Sequence, residues 1–141
     1  MDGNLIIADA DNHCIRKMAP SDSLVSTVAG SRAGGAAGKG FADGEAAAAR
    51  FNLPRAVAVD GNNAILVADA GNQLRLIASE GAHVTTLAGS SRGKVDGEGA
   101  SARFNTPHLL ALEKCGRLLA ADLHNASCLR VAEVRLRHVS Q

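Results

Sequence analysis

Apolar positions along this chain come in short runs of four to six residues, each closed by a polar or glycine cluster. The clearest series is Ala56 to Val59, ended by Asp60-Gly61-Asn62-Asn63. Next come Ala64 to Ala68, ended by Asp69 to Asn72, then Leu74 to Ala78, ended by Ser79-Glu80-Gly81, and His83 to Ala88, ended by Gly89. Runs of this length between turn residues predict strands, and tight links between them predict an antiparallel meander. The first two runs are apolar at nearly every position, so both faces of the meander are expected to be covered. No apolar run reaches the ~20 residues of a membrane-spanning helix.

The meander is one unit of a repeat. Ala-Asp-x-x-Asn closes an apolar run three times, at Asp9 and Asn12, Asp69 and Asn72, and Asp122 and Asn125. A second block, Asp43-Gly44-Glu45 leading to Arg50-Phe51-Asn52-x-Pro54, returns 53 residues later as Asp96-Gly97-Glu98 leading to Arg103-Phe104-Asn105-x-Pro107. Ser26-Thr27-Val28-Ala29-Gly30 returns as Thr85-Thr86-Leu87-Ala88-Gly89, displaced by 59, which confines the length difference to the glycine-rich stretch Ser31 to Gly40. Periods in this range, with strands in each unit, indicate an architecture in which each unit buries its faces against its neighbours. Four-stranded meanders covered on both faces are blades of a β-propeller.

Several repeated residues have a mechanical reading. Asp9, Asp69 and Asp122 stand where a strand stops and can accept backbone N–H groups, with Asn12, Asn72 and Asn125 closing the same turn. Arg16, Arg75 and Arg130 follow in the next strand, placed to reach an acidic partner between blades. Asp43 and Asp96 read as caps of a single alanine-rich helical turn, over Ala46 to Arg50 and Ala100 to Arg103. Phe51 and Phe104 read as wedges buried between blades. Pro54 and Pro107 open the innermost strand, where a missing N–H costs least.

Gly3-Asn4-Leu5-Ile6-Ile7-Ala8-Asp9, Asn12-His13-Cys14-Ile15-Arg16-Lys17, the Ser-Thr-Val-Ala-Gly phrase and the Asp-Gly to Phe-Asn-x-Pro block together resemble the NHL repeat. The resemblance covers nearly the whole chain and implies a propeller, usually six-bladed, with four strands per blade. The chain departs from the pattern at Ile6, Leu66 and Leu119, where members often carry an aromatic, and at Ala56 and Leu109, where they often carry Gly. The division that follows is residues 1–53 as a partial blade and connecting loop, 54–106 as a complete blade and loop, and 107–141 as a partial blade. Ten or eleven strands do not complete a ring. An open arc is expected, from a fragment of a longer protein or from a short propeller that self-associates through its open faces.

Composition narrows the function classes. Fifteen basic against 14 acidic side chains give a net charge of +1, and three Phe are the only aromatics. A basic nucleic-acid face and base-stacking platforms are therefore not indicated, which counts against an RNA-binding propeller. Cys14, Cys115 and Cys128 are an odd, irregular set that reads as reduced thiols of an intracellular, cytoplasmic protein. Cys115 and His124 flank the strand Leu118 to Ala121, so that strand holds them apart and no metal is expected from them with Cys128. Ala33 to Gly40 lacks both ends of a phosphate loop and reads as a linker. No arrangement marks a nucleophile, so a lyase-like propeller with a channel metal is the weaker reading.

A side chain present in every copy is scaffold, and a site must break the symmetry. Arg55 and His108 occupy equivalent positions after the proline and differ in identity, which makes them the candidate binding residues. The expected function is a non-catalytic binding module without cofactor, contacting a protein partner or a flanking domain.

Overall fold

A computed structural model describes residues 3–80, 83–124 and 128–132. Three twisted antiparallel sheets follow one another along the chain. The first is β1 (Leu5–Asp9), β2 (Cys14–Met18) and β3 (Val25–Gly30), in that order. Four strands of the central sheet form a complete meander: β5 (Pro54–Val59), β6 (Ile65–Asp69), β7 (Gln73–Ile77) and β8 (His83–Ala88). A short β4 (Gly44–Glu45) from the preceding connection adds to the outer edge of β8, giving the order β4-β8-β7-β6-β5. The third sheet holds β9 (Pro107–Leu112), β10 (Leu118–Asp122) and β11 (Cys128–Ala132). The fold is all-β: propeller blades in an open arc with no closed barrel among the described residues.

The two interfaces between blades carry the core. Along β6 the faces alternate, so Ile65 and Val67 join Ile15, Ala29, Phe51 and Val84 against the first blade. Leu66 and Ala68 join Leu74, Phe104, Leu118 and Ala120 against the third. This is why the run is apolar throughout: period-two alternation supplies two cores at once. Phe51 lies in the first interface and Phe104 in the second, at 0% and 3% exposure.

The recurrent Ala-Gly has a steric cause. Gly30 and Gly89 have φ of 100° and 95°. A Cβ on Gly89 would lie 2.3 Å from the carbonyl oxygen of Asn72, and one on Gly30 would lie 2.8 Å from the Cys14 Cβ. The first two blades therefore each need a residue without a side chain where the last strand passes the central hairpin.

Three expectations are corrected. Ala46 to Ala48 form a turn rather than helix, and the helical segments among the described residues are one α-turn, α1 (Gly35–Gly38), and a 3₁₀ turn at Gly99–Ser101. Residues 33–40 are thus not a loose linker, since Gly38 is buried and the Gly35 N–H donates to Asn12 Oδ1 at 3.4 Å. Asp43 and Asp96 cap nothing. Asp43 instead accepts from Thr86 N–H and Oγ1 at 3.0 Å each and from Arg75 at 2.7 Å. Asp96 pairs with Arg130 in the same way. The partners lie 32 and 34 residues away, beyond the reach of a local capping pattern.

The three Asp-to-Arg separations differ because the hairpins differ in length. Arg16, Arg75 and Arg130 all stand in the same register, opposite Ile7, Val67 and Ala120. The first hairpin carries one more residue than the second, so the structural equivalent of Asn72 is His13 and not Asn12. Both have left-handed φ, 54° and 76°. Asn72 Oδ1 accepts the Thr106 N–H at 3.2 Å, and His13 Nδ1 accepts the Leu53 N–H at 3.0 Å. Asn12 is left to bond the Asp9 carboxylate, at 3.1 Å. Asn125 lies outside the described residues.

His13→Ala should therefore cost about 1–2 kcal/mol by leaving the Leu53 N–H without its acceptor. His13→Asn should cost much less, because an Asn performs this task in the next blade. Urea unfolding of both variants at one protein concentration checks this, and equal losses would mean that the ring acts through packing alone.

Candidate functional site

One end of the arc collects the β1–β2 and β6–β7 hairpins, the residues after Asp122, and the two Phe-Asn-x-Pro segments. Each of these segments makes the same sharp entry into an innermost strand. Asn52 and Asn105 donate their backbone N–H to Asp69 Oδ1 and Asp122 Oδ1, at 2.9 and 2.8 Å. The next residues, Leu53 and Thr106, are held at φ 56° and 66°, a left-handed conformation strained for any side chain and more so for a β-branched one. The bonds to His13 and Asn72 hold that conformation from the neighbouring blade. Pro54 and Pro107 then fix the start of β5 and β9.

A β-bulge follows at once. Pro54 pairs with Asp69 and Ala56 with Ala68, so Arg55 has no partner in the ladder. Pro107 pairs with Asp122 and Leu109 with Ala121, so His108 stands in the same place one blade on. A bulge turns its extra residue away from the sheet. The structure thus puts Arg55 and His108 at equivalent mouths of adjacent inner strands, the two positions singled out by their broken symmetry. Arg55 is exposed and makes no ion pair among the described residues. His108 is half-buried and its Nδ1 is buried without a hydrogen-bond partner among the described residues.

Behind this rim lies a charged support that sequence reasoning glimpsed only as an Arg reaching an acid. Arg75 is wholly buried and donates to Asp69 at 3.3 Å, to Asp43 at 2.7 Å, and to the carbonyls of Arg50 and Ala42 at 3.0 and 2.8 Å. Its guanidinium lies 5.0 Å from the centre of the Phe51 ring and 4.9 Å from that of Phe41. Arg130 repeats the arrangement with Asp96, the carbonyls of Arg103 and Val95, and the Phe104 ring at 5.0 Å. Burial pushes the Asp69 carboxyl up to about 6, against the backbone N–H groups of Asn52 and Gly71 and the charge of Arg75, which favour its ionised form. Burial likewise raises the Cys14 thiol, with the Asp9 charge adding to it and Arg16 opposing. A buried thiol of this kind is a poor nucleophile.

Cys115 lies in the turn before β10 and His124 in the turn after it, at opposite ends of the strand, while Cys128 opens β11. Among the described residues no group of three or more His, Cys, Asp or Glu side chains is close enough to hold a metal ion. None of their helices is long and apolar enough to cross a membrane.

No known family model matches the sequence, and no curated protein matches it. Solved structures do. A Bacteroides thetaiotaomicron protein of unknown function superposes with a TM-score of 0.74 at 26% identity, over 84% of this chain and 30% of that one. An auxiliary nutrient binding protein from Bacteroides ovatus gives 0.72 at 24% identity, over 90% of this chain and 34% of its own. Another protein so named, from Bacteroides thetaiotaomicron, gives 0.74 at 21% identity, over 90% and 34%. The chain thus spans about a third of the length of these similar structures, and the likeness is one of fold.

Proposed function

We propose that the chain is a non-catalytic binding module of the NHL propeller type, working as part of a larger ring, and that it contacts its partner through the strand mouths at Arg55 and His108. The observation that carries this reading is the pair of matched bulges. Two blades place a strained backbone and a broken ladder at the residue they present, and that residue differs between the copies. The exposed Arg55 cation favours an acidic group on the partner, whether a protein or a flanking domain. Two of the similar structures are named as auxiliary nutrient binding proteins. That name belongs to them, and it makes small soluble nutrients the second class of ligand to test at the same mouths.

Affinity capture with the whole chain, followed by titration of the captured partner, tests the reading. Arg55→Ala and His108→Ala should each weaken binding by at least tenfold and leave the unfolding midpoint within a degree or two, because neither side chain is part of the core. Unchanged affinity in both variants would remove the mouths from the interface.

A further inference from the structure

Among the described residues the first blade leaves open the receiving surface that the central blade shows filled. In the central blade Ile65, Val67 and Val84 are buried under its neighbour. Their equivalents by register, Leu5, Ile7 and Val25, are 53%, 38% and 43% exposed. The inner edge of β6 is paired by β5 and that of β10 by β9, while β1 has only β2 beside it among the described residues. The outer edge of β8 is paired by β4, while β3 has only β2 among the described residues.

Electrostatics repeats the contrast. Arg75 and Arg130 each take an acidic residue and two carbonyls from the connection that runs ahead of their blade. Arg16 instead pairs with the Asp9 carboxylate of its own blade, at 3.4 Å, and its side chain is 30% exposed. Thr27 stands opposite Arg16 as Thr86 stands opposite Arg75. The Thr86 N–H and hydroxyl are the groups that complete the Asp43 site, and Thr27 presents the same pair.

We propose that β1–β3 is a docking platform for a polypeptide segment with the chemistry of residues 42–59 of this chain: an acidic residue, a small-residue turn, Arg-Phe-Asn-x-Pro, and a short apolar strand. The acid meets Arg16 and Thr27. The Phe ring covers the Arg16 guanidinium, and the strand adds antiparallel to β1 with its proline opposite Asp9 and its last apolar residue opposite Leu5. An apolar helix or a lipid surface would cover Leu5 and Ile7 but leave both the strand edge and the Arg16 cation unanswered. Strand addition answers all three, with main-chain bonds for affinity and the Arg16 site for register.

Two synthetic peptides, residues 40–59 and 93–112, titrated into the full chain by calorimetry provide the test. Both should bind saturably at one per chain and slow amide exchange in β1. Asp43→Asn or Phe51→Ala placed in the first peptide should each weaken binding by tenfold or more, as should Arg16→Ala in the protein. The peptide variants keep the test decisive even if Arg16→Ala fails to fold. Absence of saturable binding would overturn the proposal, as would equal affinity of the Asp43→Asn peptide or protection confined to residues outside the first blade. A discrete dimer that shields β1 and resists displacement by excess peptide would assign the surface to a second copy instead and equally overturn it.

Discussion

Arg75→Met will cost about 3–5 kcal/mol near pH 7.5, because removing one member of a buried ion pair leaves the other charged and unsolvated. Asp69, wholly buried, is the member left behind, although the Asn52 and Gly71 N–H groups still reach it. The loss should shrink toward pH 5. The Asp69 carboxyl in the folded chain already sits at about 6, above its ordinary 3.8. Between those values the folded chain holds a proton that the unfolded chain has lost, so the stability from this group is complete below about 4 and disappears as pH rises through about 6. Taking away the Arg75 cation moves the folded value further up. The variant then recovers part of its deficit by protonating Asp69, over a pH range in which the wild type gains less. Urea midpoints at pH 5 and 7.5 for wild type, Arg75→Met and Asp69→Asn read this directly. Asp69→Asn should flatten the wild-type slope between pH 4 and 6. An Arg75→Met penalty that is the same at both pH values would show that packing, and not the stranded carboxylate, sets the cost.

How far the sequence discloses this structure depends on whether a residue's partner is local. The four central strands are legible as apolar runs because each face of a blade meets a neighbour, and the wedge role of Phe51 is legible because few other large side chains compete for the interface. Asp43 is not legible. Its position ahead of an alanine run looks like a helix cap, while its partners Arg75 and Thr86 are brought up by a different strand pair. His13 is hidden by a one-residue difference in hairpin length. The uneven spacing from Asn12, Asn72 and Asn125 to the following arginines was the available signal, and reading it as a longer turn would have aligned His13 with Asn72. Arg55 and His108 stand out by differing between copies. Nothing local announces that each is a bulge, because the bulge arises from pairing with β6 and β10 after a left-handed residue that Leu53 and Thr106 do not advertise.

Phe51→Ala should cost about 3–5 kcal/mol, the usual range for emptying a large aromatic site in a core. Phe51 touches both sides of the first interface, packing with Ile15 and Ala29 of one blade and Ile65, Val67 and Ile77 of the next. It also carries the Arg75 guanidinium over its ring at 5.0 Å. Phe51→Leu retains most of the buried volume and loses the ring, so it should cost about 1–2 kcal/mol, the share of packing misfit and cation–π contact together. The two roles separate in a double-mutant cycle. If the ring helps hold Arg75 in place, Phe51→Leu combined with Arg75→Met should be less damaging than the sum of the two by about 0.5–1 kcal/mol. Thermal and urea unfolding at one protein concentration give all four corners of that cycle. A Phe51→Ala cost below about 1 kcal/mol would be too small for a buried wedge and would mean that the blades hold together without it.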